Sequence, residues 1–222
     1  MFEAVFFDLD GTLADTAPDL GAALNRLLAE QGRAQLPHAV LRPHVSAGAR
    51  GLLRIGFGLA PEDPAYPSLH KRFLDIYENA LCQETTLFAG MGALLDALEA
   101  NGIAWGVVTN KPERFTLPLM AALGLATRAA AVVGGDTTAR AKPDPLPLLH
   151  ACTVAGVSAT ASAYVGDDLR DIQAGRAAGM VTFAAGWGYL GDGLPIGEWG
   201  ADRLIADPTA LLADIEQGSW QP

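Results

Sequence analysis

Short apolar runs of strand length alternate along the chain with longer stretches of helical periodicity. Ala4-Val5-Phe6-Phe7 is apolar at successive positions, the pattern of a central strand covered on both faces. Comparable runs recur at 104–108, 130–133, 163–165 and 180–183. Between them the spacing predicts helices over 91–100, 112–123, 146–155 and 172–178, with Leu94, Leu95 and Leu98 on one face of the first. Gly102, Gly124, Gly156 and Gly179 each stand just past one of these helices, where a left-handed C-cap is wanted. Strands and helices in alternation with short connections predict an α/β fold with a Rossmann-like, mostly parallel sheet.

One stretch breaks the rhythm. From about Pro18 to Glu84 the periodicity is helical, over 20–31, 48–57 and 69–81, with no strand pattern. This predicts a helical cap inserted after the first strand. The expected domains are then an α/β core of residues 1–17 and 85–222 and a helical cap of residues 18–84.

Composition narrows the function. At 222 residues and 50% hydrophobic, the chain can build one large core plus a small satellite and is not disordered. Against 25 Asp and Glu stand 15 Lys and Arg, a net charge of −10. Such a surface repels phosphate backbones and anionic membranes, so neither nucleic acid nor membrane is an expected partner. The start lacks the basic segment of a signal peptide, and no apolar run approaches the roughly 18 residues of a membrane span. Cys82 and Cys152 stand at no metal-ligand or CxxC spacing and read as reduced thiols, which points to the cytoplasm. His38, His44, His70 and His150 have no partners at ligand spacing and read as surface or packing residues.

Chemistry concentrates at the strand ends. The first strand runs into Asp8-Leu9-Asp10-Gly11-Thr12, where positions i and i+2 share a face and two carboxylates converge. That carboxyl end is where an open α/β sheet binds its ligands. A calcium loop is excluded, because its sixth and twelfth positions hold Leu13 and Asp19 and a strand precedes it. The strand at 104–108 ends in Thr109-Asn110-Lys111-Pro112, which is either an anion site at a helix start or an ordinary N-cap followed by Pro. Lys142 precedes Pro143 and so sits extended at an element boundary. The strand at 163–165 ends in Gly166-Asp167-Asp168-Leu169-Arg170-Asp171, three acids that repel one another unless a cation stands among them. Asp168 also reads as a plain N-cap. Hard carboxylate ligands without His or Cys point to Mg²⁺, and Thr109 with Lys142 offers the donors and charge a phosphoryl group needs.

With Asp8-Leu9-Asp10-Gly11-Thr12, Thr109-Asn110, Lys142 and Gly166-Asp167-Asp168 with Asp171 in that order, the chain resembles the haloacid dehalogenase-like hydrolases. It is similar to the branch with a helical cap after the first strand, which includes phosphoglycolate phosphatases and N-acetylmuramic acid 6-phosphate phosphatases. The likeness implies a phosphomonoesterase acting on a small phosphorylated metabolite. It implies Asp8 as nucleophile, Asp10 as general acid and base, and Mg²⁺ held by Asp8, the Asp10 carbonyl and Asp167. By the same likeness Thr109 and the Asn110 backbone N–H hold phosphate oxygens, and Lys142 neutralises charge and orients Asp8. Asp168 and Asp171 are expected to buttress Lys142 or metal-bound water, with their individual roles open. An Asp at position 10 marks phosphomonoesterases and phosphomutases within this superfamily and argues against a dehalogenase. Four intact motifs argue against a non-catalytic binding module.

Substrate choice is expected from the cap. In Ser46-Ala47-Gly48-Ala49-Arg50-Gly51 a helix start places Arg50 where it can reach a substrate carboxylate or simply lie exposed. Trp187, Tyr189 and Trp199 stand in a glycine-rich loop that either flanks the site or is pinned to the surface by its aromatics. The expected assembly is a monomer or homodimer.

Overall fold

A computed structural model of the chain describes residues 2–191 and 193–216. The chain opens with β1 (Ala4–Phe7) and the two-residue β2 (Ala14–Asp15), then enters the cap. The cap comprises α1 (Ala17–Glu30), α2 (His38–Leu41), a 3-10 turn at Arg42–Ala47, α3 (Gly48–Phe57) and α4 (Tyr66–Glu78). The two-residue β3 (Thr86–Leu87) leads back to the core. There α5 (Met91–Ala100), β4 (Ala104–Val108), α6 (Glu113–Ala122), β5 (Ala131–Val133) and α7 (Leu146–Ala155) follow. The chain continues through β6 (Ser162–Gly166), α8 (Leu169–Ala178), β7 (Val181–Ala185), β8 (Arg203–Ile205) and α9 (Pro208–Glu216).

Six parallel strands form one sheet in the order β5-β4-β1-β6-β7-β8. β1 is apolar at every position because both its faces are covered. Val5 and Phe7 enter a cluster with Leu94, Leu98 and Val107, while Ala4 and Phe6 enter another with Leu148 and Tyr164. Each fully buried Phe contributes about 2–3 kcal/mol of burial, which is why this short strand holds the sheet's centre. The chain departs from β1 to β4 on one side and to β6 on the other, so the strand order reverses beside β1. A ligand crevice belongs at the carboxyl ends there. Among the described residues no helix is long and apolar enough to cross a membrane.

The cap has its own apolar interior, including Leu24, Leu27, Leu52, Leu53, Phe73 and Ile76. Its two connections to the core pair with each other, Ala14 opposite Leu87 and Asp15 opposite Thr86 in antiparallel register. The buried Asp19 carboxylate tightens this stem from inside. It accepts from the backbone N–H of Gln83, Glu84 and Thr85 at 3.1, 3.0 and 2.9 Å, and from Thr85 Oγ1 at 2.6 Å.

Some elements begin earlier than periodicity predicts. α8 starts at Leu169, three residues before the expected 172, because Asp168 caps it: Asp168 accepts from Arg170 N, and Asp171 accepts from the N–H of Asp168. α1 starts at Ala17 with Pro18 in its first turn, and α4 starts at Tyr66 instead of 69 with Pro67 in the same place.

Candidate active site

Asp8 directly follows β1, and its N–H donates to Val165 O at 2.9 Å, so sheet geometry extends through the first acid. Gly11 then turns the chain at φ +86°. A Cβ there would stand 2.2 Å from Asp167 Oδ2 and 2.8 Å from the Tyr189 ring, which leaves room for glycine alone. Thr109 follows β4 and donates its N–H to Val133 O at 2.9 Å. The Asn110 side chain faces the loop of Lys142 across the crevice: its Nδ2 donates to Lys142 O at 2.9 Å and its Oδ1 accepts from Lys142 N at 3.0 Å. This amide bracket fixes the lysine backbone.

Lys142 Nζ lies 2.6 Å from Asp171 Oδ1, 2.7 Å from Tyr164 Oη, 3.0 Å from Val108 O and 3.0 Å from Asp8 Oδ1. Burial alone would lower its pKa, but the charges of Asp171 and Asp8 overcome that and raise it, so the ammonium persists. Asp171 therefore serves Lys142 and the cap of α8, and Asp168 serves the same cap from the other end.

Asp167, buried at the end of β6, accepts from Thr12 Oγ1 at 2.7 Å and from Tyr189 N at 2.8 Å. Burial first, then the charges of Asp8 and Asp171, push its carboxyl well above the usual range despite these bonds. Asp8, Asp167 and Asp171 each present an oxygen within 4.8 Å of the other two. Crowded, desolvated carboxylates of this kind fit a hard divalent cation, which would relieve their repulsion. Of the three, Asp171 is held closest to Lys142, at 2.6 Å against 3.0 Å for Asp8.

Asp10 stands next to residues that sequence reading left without a role. Its Oδ1 accepts from Thr16 Oγ1 at 2.6 Å and from Lys111 Nζ at 3.0 Å. Lys111 is buried, and its Nζ lies 4.6 Å from the centroid of the Tyr77 ring on cap helix α4. Its pKa is raised, burial opposing and the charge of Asp10 prevailing.

Between these strand ends and the cap lies a cavity of about 300 Å³. Asp8, Asp10, Thr109, Asn110 and Lys142 line its core side, and Arg50, Tyr66 and His70 its cap side. Arg50 is exposed and makes no ion pair among the described residues. His70, expected as a surface or packing residue, lines the cavity stacked on Tyr66, with ring centroids 5.3 Å apart and planes at 17°. Burial and the nearby Arg114 lower its pKa, which favours the neutral imidazole. The aromatic loop divides. Trp187 donates to Thr12 O at 3.0 Å and Tyr189 holds Asp167, so both flank the acids, whereas Trp199 packs with Ile172 and Ala184.

The model of the haloacid dehalogenase-like hydrolases matches residues 5–185, a span that includes all four groups of strand-end residues. The chain belongs to that family. It is a phosphoric monoester hydrolase, similar to phosphoglycolate phosphatases. It is 46% identical over 220 residues to a phosphoglycolate phosphatase of Xanthomonas campestris pv. campestris, covering 99% of this chain and 95% of that one. It is 41% identical over 213 residues to an N-acetylmuramic acid 6-phosphate phosphatase of Pseudomonas putida, covering 96% of each. The crystal structure of a protein from Haemophilus somnus, described as a predicted phosphoglycolate phosphatase, superposes with a TM-score of 0.83. It shares 27% identity over 99% of this chain and 98% of that one. That protein thus shares both the core and the capped architecture described above.

Proposed function

We propose that this hydrolase cleaves small phosphomonoesters that bear a carboxylate, 2-phosphoglycolate first among them, through a phosphorylated Asp8. An Asp8 carboxylate oxygen attacks phosphorus, the bond from phosphorus to the ester oxygen breaks, and Asp10 gives its proton to the departing alkoxide. Water then attacks the aspartyl-phosphate, Asp10 takes the water's proton, and inorganic phosphate leaves with Asp8 restored. Lys142 neutralises charge beside the transferring group and orients Asp8. Thr109 and the Asn110 N–H hold phosphate oxygens. Mg²⁺, held by the Asp8 and Asp167 carboxylates and the Asp10 carbonyl, would supply further neutralisation of the phosphoryl oxygens. Arg50 meets the substrate carboxylate from the cap.

The observation that carries this reading is the 3.0 Å approach of Lys142 Nζ to Asp8 Oδ1 on the floor of the cavity, with a second acid two residues further along. The identity to phosphoglycolate phosphatases supports the choice of substrate. One observation favours a second reading, N-acetylmuramic acid 6-phosphate or another sugar phosphate. A volume of about 300 Å³ falls in the range that encloses drug-sized ligands and exceeds the needs of a two-carbon acid.

A kinetic panel of 2-phosphoglycolate, N-acetylmuramic acid 6-phosphate and hexose phosphates tests the assignment. The highest kcat/KM is expected on 2-phosphoglycolate. A clear preference for a sugar phosphate would replace the first reading with the second. Asp8→Asn run on p-nitrophenyl phosphate tests the chemistry, and substantial turnover by that variant would remove Asp8 as nucleophile.

A further inference from the structure

At one rim of the cavity the core takes hold of the cap through residues that the chemistry above does not use. Ser46, in the 3-10 turn that leads into α3, donates its hydroxyl to Asp168 Oδ2 at 2.8 Å. Arg170 Nη2 donates to the carbonyl of the same Ser46 at 3.0 Å. Asp168 and Arg170 are themselves joined by a two-point contact, Nε to Oδ1 at 2.7 Å and Nη2 to Oδ2 at 2.8 Å. The backbone N–H of Arg170 donates to Asp168 Oδ1 as well, at 2.9 Å. Ser46 is therefore held on both its hydroxyl and its carbonyl by a planar pair that is anchored to the first turn of α8.

Ser46, Asp168 and Arg170 all line the cavity. The paired geometry does not suit Arg170 to receive a substrate anion, because Asp168 occupies its guanidinium edge and cancels its charge. What remains for the pair is to locate Ser46. Two residues beyond Ser46 the chain begins α3, and Arg50 lies in that helix's first turn. A short, two-sided hold on Ser46 thus fixes where Arg50 stands relative to Asp8 and Thr109.

We propose that Asp168 and Arg170 act as positioning residues: through Ser46 they clamp the start of α3 onto the core and aim Arg50 at the substrate's carboxylate. The aim rests on the reading of Arg50 given under Proposed function; the clamp itself does not.

Two measurements separate these parts. In Ser46→Ala, amide hydrogen exchange over residues 42–50 is expected to quicken about fivefold, the scale of one lost hydrogen bond. Exchange over α8 should stay as in wild type, since the Asp168 cap on that helix is intact. On 2-phosphoglycolate, Ser46→Ala and Arg170→Lys should each raise KM about fivefold with little change in kcat, and Ser46→Thr should restore KM. The double variant of Ser46→Ala with Arg50→Ala should lose no more than Arg50→Ala alone, because an unaimed arginine is already lost. Unchanged exchange over residues 42–50 would overturn the clamp. Losses at Ser46 and Arg50 that multiply would overturn the coupling to Arg50. If Arg50→Ala weakens 2-phosphoglycolate and p-nitrophenyl phosphate alike, the carboxylate reading and the aim both fall. The clamp then stands or falls on the exchange result.

Discussion

Lys142 Nζ and Asp171 Oδ1 lie 2.6 Å apart, and neither side chain is more than 2% exposed. Asp8 is the more distant acid partner of the same ammonium, at 3.0 Å and on the floor of the cavity. The lysine is thus anchored from behind by one acid and offered forward to the other.

Removing that ammonium should cost more in rate than in binding. Lys142→Ala is expected to lower kcat about 10²-fold or more, a deficit that added substrate does not recover. It also leaves Asp171 buried without its cation, which should destabilise the fold by about 3–5 kcal/mol. Saturating kinetics and denaturant unfolding check the two halves; an intact kcat with raised KM would make Lys142 a binding residue only.

Asp8 and Asp167 crowd together, and burial with mutual repulsion already pushes the Asp167 carboxyl upward. Chelation with EDTA should therefore abolish hydrolysis of p-nitrophenyl phosphate, and added Mg²⁺ should restore it. Ca²⁺, larger and less strictly octahedral, should restore it poorly. Full activity after exhaustive chelation would contradict the cation site.

Arg50 carries the expected discrimination among substrates. Loss of a bidentate guanidinium contact in Arg50→Ala should cost about 1.5–3 kcal/mol, or about 10- to 150-fold in kcat/KM, on 2-phosphoglycolate. On p-nitrophenyl phosphate, which has no carboxylate, the loss should be much smaller. Equal losses on the two substrates would leave the carboxylate without its named partner.

Tyr77 offers a test on stability. Its Oη is, among the described residues, the one buried side-chain polar atom without a partner at hydrogen-bond geometry; burial pushes the phenol up to about 12 against the pull of the nearby Lys111 ammonium. Tyr77→Phe keeps the ring beneath Lys111 and removes the unmatched hydroxyl. Thermal unfolding should shift upward, by about 1 kcal/mol of added stability. A lower melting temperature would mean that the hydroxyl has a partner in solution.

Legibility in the sequence followed burial. β1, β4, β5, β6 and β7 are covered on both faces or nearly so, and their continuous apolar runs announce them. β8 carries an exposed Arg203 and Leu204 at the sheet edge with Ile205 alone buried, so it leaves no pattern to find. β2 and β3 are two residues each, too short for any periodicity. Asp8, Asp10, Thr109 and Asp167 could be singled out because they stand at the ends of strands, and Lys142 because Pro143 follows it. Lys111 sits among them, but a loop lysine reads as solvated, and its surroundings are distant in sequence: Tyr77, 34 residues earlier on the cap, and Asp10, 101 residues earlier. Tyr189 and Ser46 are likewise defined by contacts across 22 and 122 residues of chain.

Through the pairing of β2 with β3 the cap has both of its connections to the core at one place. Its point of departure and its point of return are neighbours, Ala14 beside Leu87, and Asp19 fastens the return from the cap side. A module attached this way behaves as a cassette. A replacement needs matching ends at this two-residue ladder, a carboxylate to bind the returning amides, and a rim residue that Asp168 and Arg170 can hold, while Asp8, Lys142 and Asp167 keep their places. A lid exchanged on these terms would change what faces the cavity from above, while the acids and the lysine beneath it stay as they are.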